Sequence, residues 1–138
     1  MGLLARADAA ELAALWDVWL EKPEFTWLRK PESGLVMVRG RAGGEGAAFN
    51  LGEMTVTRCA LRLADGTVGH AHVQGRSAEK AEVAALVDAL HQRPEDHEAV
   101  RLRILEPLQQ SRDAARRTAA AETAATRVEF FTMVRGDT

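Results

Sequence analysis

The order of apolar and polar positions changes period several times along the chain, and each change marks an element. Asp8 followed three residues later by Glu11 has the form of a helix start, because the first carboxylate accepts from orphan amides and the second reaches back to the cap. Leu12, Leu15, Trp16, Trp19 and Leu20 then recur at helical spacing as one stripe, and Pro23 closes the helix. Two tryptophans on that stripe read first as core, with partner anchors as the alternative. From Gly34 the period drops to two. Leu35, Met37, Arg39 and Arg41 fall on one side of a strand, Val36 and Val38 on the other. Gly40–Gly46 holds four glycines in seven residues but lacks the spacing of a phosphate-binding loop, so it reads as a flexible connection between strands.

A second strand runs from Glu53 to Ala64, and Asp65-Gly66 supplies a two-residue hairpin turn before T-V-G-H-A-H-V-Q. With Ala64 opposite Thr67, Leu63 faces Val68, Leu61 faces His70 and Cys59 faces His72, all on one side of the sheet. Val56, Arg58, Ala60, Arg62, Ala71 and Val73 fall on the other. A thiol beside two imidazoles invites a zinc reading. Leu61, Leu63 and Val68 on the same face argue instead for packing surface, so no metal is expected and the histidines read as a partly buried structural pair.

Ser77 caps the next helix, whose inward stripe is Val83, Leu86, Val87 and Leu90 and whose end is marked by His91, Arg93 and Pro94. It is expected to cover the Leu61/Leu63 face. Residues 94–108 stay open: P-E-D-H-E-A resembles a first helical turn, V-R-L-R-I-L alternates like a strand, and Pro107 breaks whatever precedes it. Gln109 to Arg127 is an alanine-rich helix with hardly any large apolar side chain. Val128–Thr138, V-E-F-F-T-M-V-R-G-D-T, reads as an extended terminal segment. The expected fold is α+β: a small antiparallel β-meander built on the Asp65-Gly66 hairpin, covered by helices, with a long C-terminal helix and that extended end. One domain over residues 1–138 accounts for the length.

Composition narrows the function classes. With 46% apolar and 28% charged residues the chain is of ordinary globular type. A net charge of −2 and a pI near 6.1 supply no global basic field, so neither nucleic acid nor anionic membrane is an expected partner. The single cysteine, Cys59, excludes an internal disulfide and a multi-cysteine metal site within this chain. No apolar stretch approaches the ~20 residues of a membrane helix, and the start lacks a signal-peptide core, so a cytoplasmic location is expected. Met1-Gly2 does not make a myristoylation signal, because Arg6 stands where Ser or Thr is needed.

The run R-A-G-G-E-G-A-A-F-N-L-G-E-M-T-V-T-R-C-A-L-R-L-A-D-G-T-V-G-H-A-H-V-Q-G-R, followed by a helix and ending in V-E-F-F-T-M-V-R-G-D, resembles the PhnG family, the small subunit of the bacterial carbon–phosphorus lyase complex. The close match covers Gly34 to Leu90 and Val128 to Asp137. The resemblance implies a core complex with PhnH, PhnI and PhnJ, PhnI being the closest expected partner, and with PhnL and PhnK as further associates. It implies an early step that displaces adenine from ATP and attaches the ribose triphosphate to a phosphonate, and a later radical cleavage on another subunit. ATP is then a substrate of the complex, no cofactor belongs to this chain, and no catalytic residue is assigned to it.

Two roles follow for such a subunit. In the first it is structural or accessory, with the terminal segment as a hook and Phe130, Phe131, Met133 and Arg135 as interface candidates. Its Arg-Gly-Asp is then accidental. In the second it lends arginines to a shared active site: Arg39, Arg41, Arg58, Arg62 and Arg76 are the anion-binding candidates, since guanidinium forks suit phosphate and phosphonate oxygens. The ordinary reading of those arginines is a solvated face. A free-standing hydrolase has no nucleophile, base and orienting group at any recognisable spacing.

Overall fold

The computed structural model describes residues 2–19, 21–41 and 48–136, and the side chains of these except 39–41, 48–51 and 126–136. In chain order the elements are α1 (Gly2–Arg6), α2 (Ala9–Asp17), β1 (Phe25–Arg41), β2 (Ala48–Leu63), β3 (Val68–Gln74), α3 (Ala78–Gln92), α4 (Pro94–Val100), a π-helical turn (Arg101–Leu105) and α5 (Glu106–Gly136). The strands form one antiparallel sheet in the order β1-β2-β3, so the α+β expectation holds.

The core lies between one face of the sheet and the helices. Leu61, Leu63, Val73 and Cys59 meet Ala84, Ala85, Val87, Ala89 and Leu90 of α3, as the Leu61/Leu63 pattern requires. Small side chains on α3 let helix and sheet approach closely. Gly69 marks the tightest point, since a Cβ there would stand 2.1 Å from the Ala85 carbonyl oxygen. Leu12, Trp16 and Trp19 are buried in the same cluster, so the tryptophan stripe is core; Leu20 lies outside the described residues. Lys22 donates its Nζ to the Trp19 carbonyl at 2.9 Å and lies 4.8 Å over the Trp16 ring, closing α2 behind them. Asp8 holds the cap position of α2 without a side-chain cap hydrogen bond, whereas Ser77 accepts from the Lys80 amide at 3.1 Å as expected.

Thr57 knots the elements together. Its hydroxyl donates to Gly75 O at 2.7 Å, accepts from the Ser77 amide at 3.1 Å and meets Ser33 Oγ at 2.9 Å. The exposed edge of β3 is tied down as well: the His70 amide donates to Asp88 Oδ2 at 2.9 Å and Gln92 Nε2 donates to Val68 O at 2.9 Å. Two α3 side chains thus occupy backbone groups that an edge strand would leave free.

Four features depart from the sequence reading, and the segment left open, 94–108, is settled. The first is that α2 ends at Asp17, ahead of Trp19 and well before Pro23. β1 begins at Phe25, ahead of the alternating run, because register shifts between Trp27 and Arg29 and between Arg29 and Glu32 carry Pro31 and blur the period of two. Residues 94–108 are helical throughout, with Val100, Ile104 and Leu108 buried at intervals of four. Pro107 does not break the helix: the preceding π-turn, closed by a bond from the Glu106 amide to Arg101 O, supplies the room its ring needs. The expected extended terminus is not found either, since the backbone stays helical to Gly136. Propagating an alanine-rich helix costs little per residue, and a β-prone segment with no strand beside it has no ladder to join. Ala114–Ala125 is exposed along its whole length, and among the described side chains α5 packs on the domain through its first turns.

Candidate functional site

The face of the sheet turned away from the helices is built from alternate residues of the same strands. Thr57, Cys59, Leu61 and Leu63 go under α3, which leaves Arg58, Ala60 and Arg62 on the open side. Register supplies their neighbours: Arg29 and His70 flank Ala60, Glu32 and His72 flank Arg58, and Thr26 and Val68 flank Arg62. Paired Cβ atoms on one face stand about 4.5–5.5 Å apart, so the methyl of Ala60 forms a floor among longer polar side chains. A cavity of about 570 Å³ opens over it, with Arg29, Arg58, His70, His72 and Asp88 in its lining.

This grouping corrects the expected hairpin register. Leu63 pairs with Thr67 through a 2.8 Å bond from its amide to Thr67 O, and Cys59 pairs with Ala71, one residue away from the pairing inferred from a two-residue turn. The loop has three residues. Gly66 at φ +94° carries the left-handed position, and the Thr67 amide donates to Asp65 Oδ1 at 2.9 Å. One residue of slip exchanges the faces of a whole strand. Cys59 therefore lies in the core, donating to Ala81 O at 3.3 Å, while His70 and His72 stand on the opposite face beside Arg58. The cysteine and the two histidines are not brought together.

The arginines of the open face are unpaired, as are most arginines among the described residues. Arg93 is held by Asp65, Glu95 and Asp96, and Arg101 by Glu98 and Glu106, but Arg29, Arg58 and Arg62 enter no hydrogen bond or ion pair among the described residues. Asp88 is committed to the His70 amide, and Glu32 is exposed. The perturbed buried groups lie elsewhere. Burial, with a smaller push from Glu82, takes the Cys59 thiol from 9.0 to about 11. Burial also lowers the Lys80 ammonium, opposed by Asp8, while its Nζ donates to Ala5 O at 3.0 Å and ties α1 to α3. His91 is lowered by burial and by His97, stacked 4.2 Å away beyond the end of α3. The open face thus offers free guanidinium forks, which suit oxyanion oxygens.

Over residues 1–136 the chain matches the family model described as "Phosphonate metabolism protein PhnG". The chain belongs to the PhnG family. Among its relatives is the alpha-D-ribose 1-methylphosphonate 5-triphosphate synthase subunit PhnG of Rhizobium meliloti (strain 1021), 50% identical over 137 residues that cover 99% of this chain and 87% of the relative. The resemblance carried by Arg41–Arg76 and the terminal motif therefore extends over the whole PhnG-family chain.

Of the five arginines singled out in the sequence, the structure places Arg58 and Arg62 on one face, with Arg58 in the cavity lining and Arg62 further along the same strand. Arg76 is exposed in the turn after β3 and outside that lining. Arg39 and Arg41 have described backbone in β1, but their side chains lie outside the described residues, as do those of Phe130, Phe131, Met133 and Arg135 on α5. Sequence reasoning missed Arg29 because β1 was started too late, and it put His70 and His72 on the wrong face. One signal was available: Ala71 and Val73 match Leu61 and Leu63 as apolar partners, whereas His70 and His72 match the arginines.

Proposed function

We propose that this PhnG-family chain is the PhnG subunit of an alpha-D-ribose 1-methylphosphonate 5-triphosphate synthase acting in phosphonate breakdown in the cytoplasm. The observation that carries the reading is the 50% identity to such a subunit across nearly the whole of both chains. In this reading the complex uses ATP and a phosphonate as substrates and displaces adenine. The chain works beside PhnI, PhnH and PhnL, in an assembly with PhnJ and with PhnK as an associate.

Its own part is structural or accessory. Several of the described side-chain hydrogen bonds act as caps, turn locks and ties between elements. Two parts of the chain suit assembly. Phe130, Phe131, Met133 and Arg135 follow the exposed stretch Ala114–Ala125 in sequence, on helical backbone and not on the extended hook expected. The far part of the β1/β2 ribbon, past the end of β3, exposes Leu35 and Met37 at 62% and 59%. Exposed apolar side chains on a projecting ribbon are what a partner surface covers.

Affinity purification of the tagged full chain from its native host tests the reading. PhnI and PhnH are expected to be retained with it, the complex to form ribose methylphosphonate triphosphate from ATP and methylphosphonate, and the isolated chain to turn over neither. Retention of none of these subunits would refute membership, and turnover by the isolated chain would refute the accessory role.

A further inference from the structure

We propose that the open sheet face is a polyphosphate-binding site, with Arg29 and Arg58 as the binding forks, His70 and His72 along its β3 side and Ala60 as its floor. The choice of polyphosphate rests on the synthase reading above, because the relative's name specifies a 5-triphosphate product. The site itself rests on geometry.

Three observations converge on it. First, the cations are uncommitted: Arg93 and Arg101 are neutralised by carboxylates, whereas Arg29 and Arg58 have no partner among the described residues. Second, the register sets Arg29 and His70 on either side of Ala60 and His72 beside Arg58, so donors from three strands ring one small side chain. An anion resting on that methyl has guanidinium groups within reach on two sides, and the cavity of about 570 Å³ falls within the range of small-ligand pockets. Third, the frame is fixed. The β3 edge is tied to α3 by Asp88 and Gln92, so the strand bearing both histidines is braced by the core beneath it. Asp88 aims its Oδ2 at the His70 amide and keeps its negative charge at the β3 edge of the lining, so the anion is held on the Arg29 and Arg58 side of Ala60. Glu32 alone among the cross-strand partners is acidic; it stands directly opposite Arg58 on β1 without forming an ion pair with it among the described residues. Arg62 continues the cationic row along β2, roughly 7 Å past Ala60, where a chain of several phosphates can reach it and a single phosphate cannot.

The test titrates sodium tripolyphosphate into the full-length chain by calorimetry at low ionic strength, where charge contacts are least screened. Saturable one-to-one binding is expected, tighter than for inorganic orthophosphate. The R29Q/R58Q variant should bind at least about tenfold more weakly, in line with the loss of charged hydrogen bonds, while R76Q should bind as the parent does. Both replaced side chains are exposed, and an unchanged melting temperature confirms that the variant is folded. Absence of tripolyphosphate binding, or equal weakening by R76Q, would overturn the site. So would an R29Q/R58Q variant that keeps its tripolyphosphate affinity but no longer retains PhnI and PhnH, which would assign the face to protein docking. Retention of those subunits by the parent chain is scored separately, so loss of this site and loss of synthase membership give different results.

Discussion

The two faces of the three-stranded sheet share one backbone and differ in everything else. On the covered face Leu61, Val73, Ala85 and Val87 are completely buried, and the helix lies so close that only glycine fits at position 69. On the open face, one residue along in each strand, stand Arg58, Arg62, His70 and His72, all exposed. The covered face spends its residues on dispersion and excluded water; the open face holds charges in fixed positions without burying them. A strand buried on one side is stiff enough to present its other side to a ligand. Stability and recognition are thereby assigned to odd and even positions of the same segment.

The sharpest way to break the division is at Gly69. Gly69→Val introduces a branched side chain where a Cβ alone meets Ala85 O at 2.1 Å, and it should cost at least about 3 kcal/mol, read as a drop in the denaturant midpoint with loss of α3 docking. Neighbouring residues on β2 give the next contrast. Leu61→Ala, at 0% exposure, should destabilise by about 3 kcal/mol, whereas Arg62→Ala beside it should stay within about 0.5 kcal/mol by chemical denaturation. Equal costs for the two would mean that the faces are not divided as described.

A smaller effect comes from pH. In the fold the Cys59 thiol holds its proton up to about 11, and the unfolded chain releases it near 9.0. Between those values the native state binds more protons, so stability is full below pH 9 and falls as pH rises through the window, by on the order of 2 kcal/mol. Comparing the denaturation midpoint at both ends of the window in parent and Cys59→Ala isolates this part, because other groups titrate alike in both. An undiminished slope in the variant would remove Cys59 from the covered face's account.

How much of this was legible in the sequence depended on how local the signal was. Ser77 as a cap, the stripe through Leu86, Val87 and Leu90, and the pairing of α3 with Leu61 and Leu63 follow from neighbours within two helical turns, and the structure has all three. The face on which His70 lies depends on a single extra loop residue between Leu63 and Thr67. The sequence A-D-G is compatible with a two- or three-residue loop, and only the partner strand decides. Arg29 was hidden for a related reason: Pro31 and two register shifts interrupt the alternation that marks a strand. The segment around Pro107 was ambiguous because a proline's effect on a helix depends on the width of the turn before it, which no propensity records. Half of the cationic face, Arg58 and Arg62, was visible from their spacing; the other half came from strands whose register had to be seen.

The π-turn at Arg101–Leu105 acts on α5 as an indexing step acts on a screw. One extra residue in a helical turn rotates everything downstream by about 100° around the axis for an advance of only about 1.5 Å. The packed end of the rod is set by Val100, Ile104 and Leu108, so the turn fixes the azimuth at which the free course of α5 leaves the domain. Over 31 residues, roughly 45 Å of helix, a change of phase at the root alters which side of the shaft faces a given neighbour and leaves its reach almost untouched. Length and orientation of this rod are therefore independently adjustable: the first through the alanine-rich shaft, the second through the pivot beside Pro107.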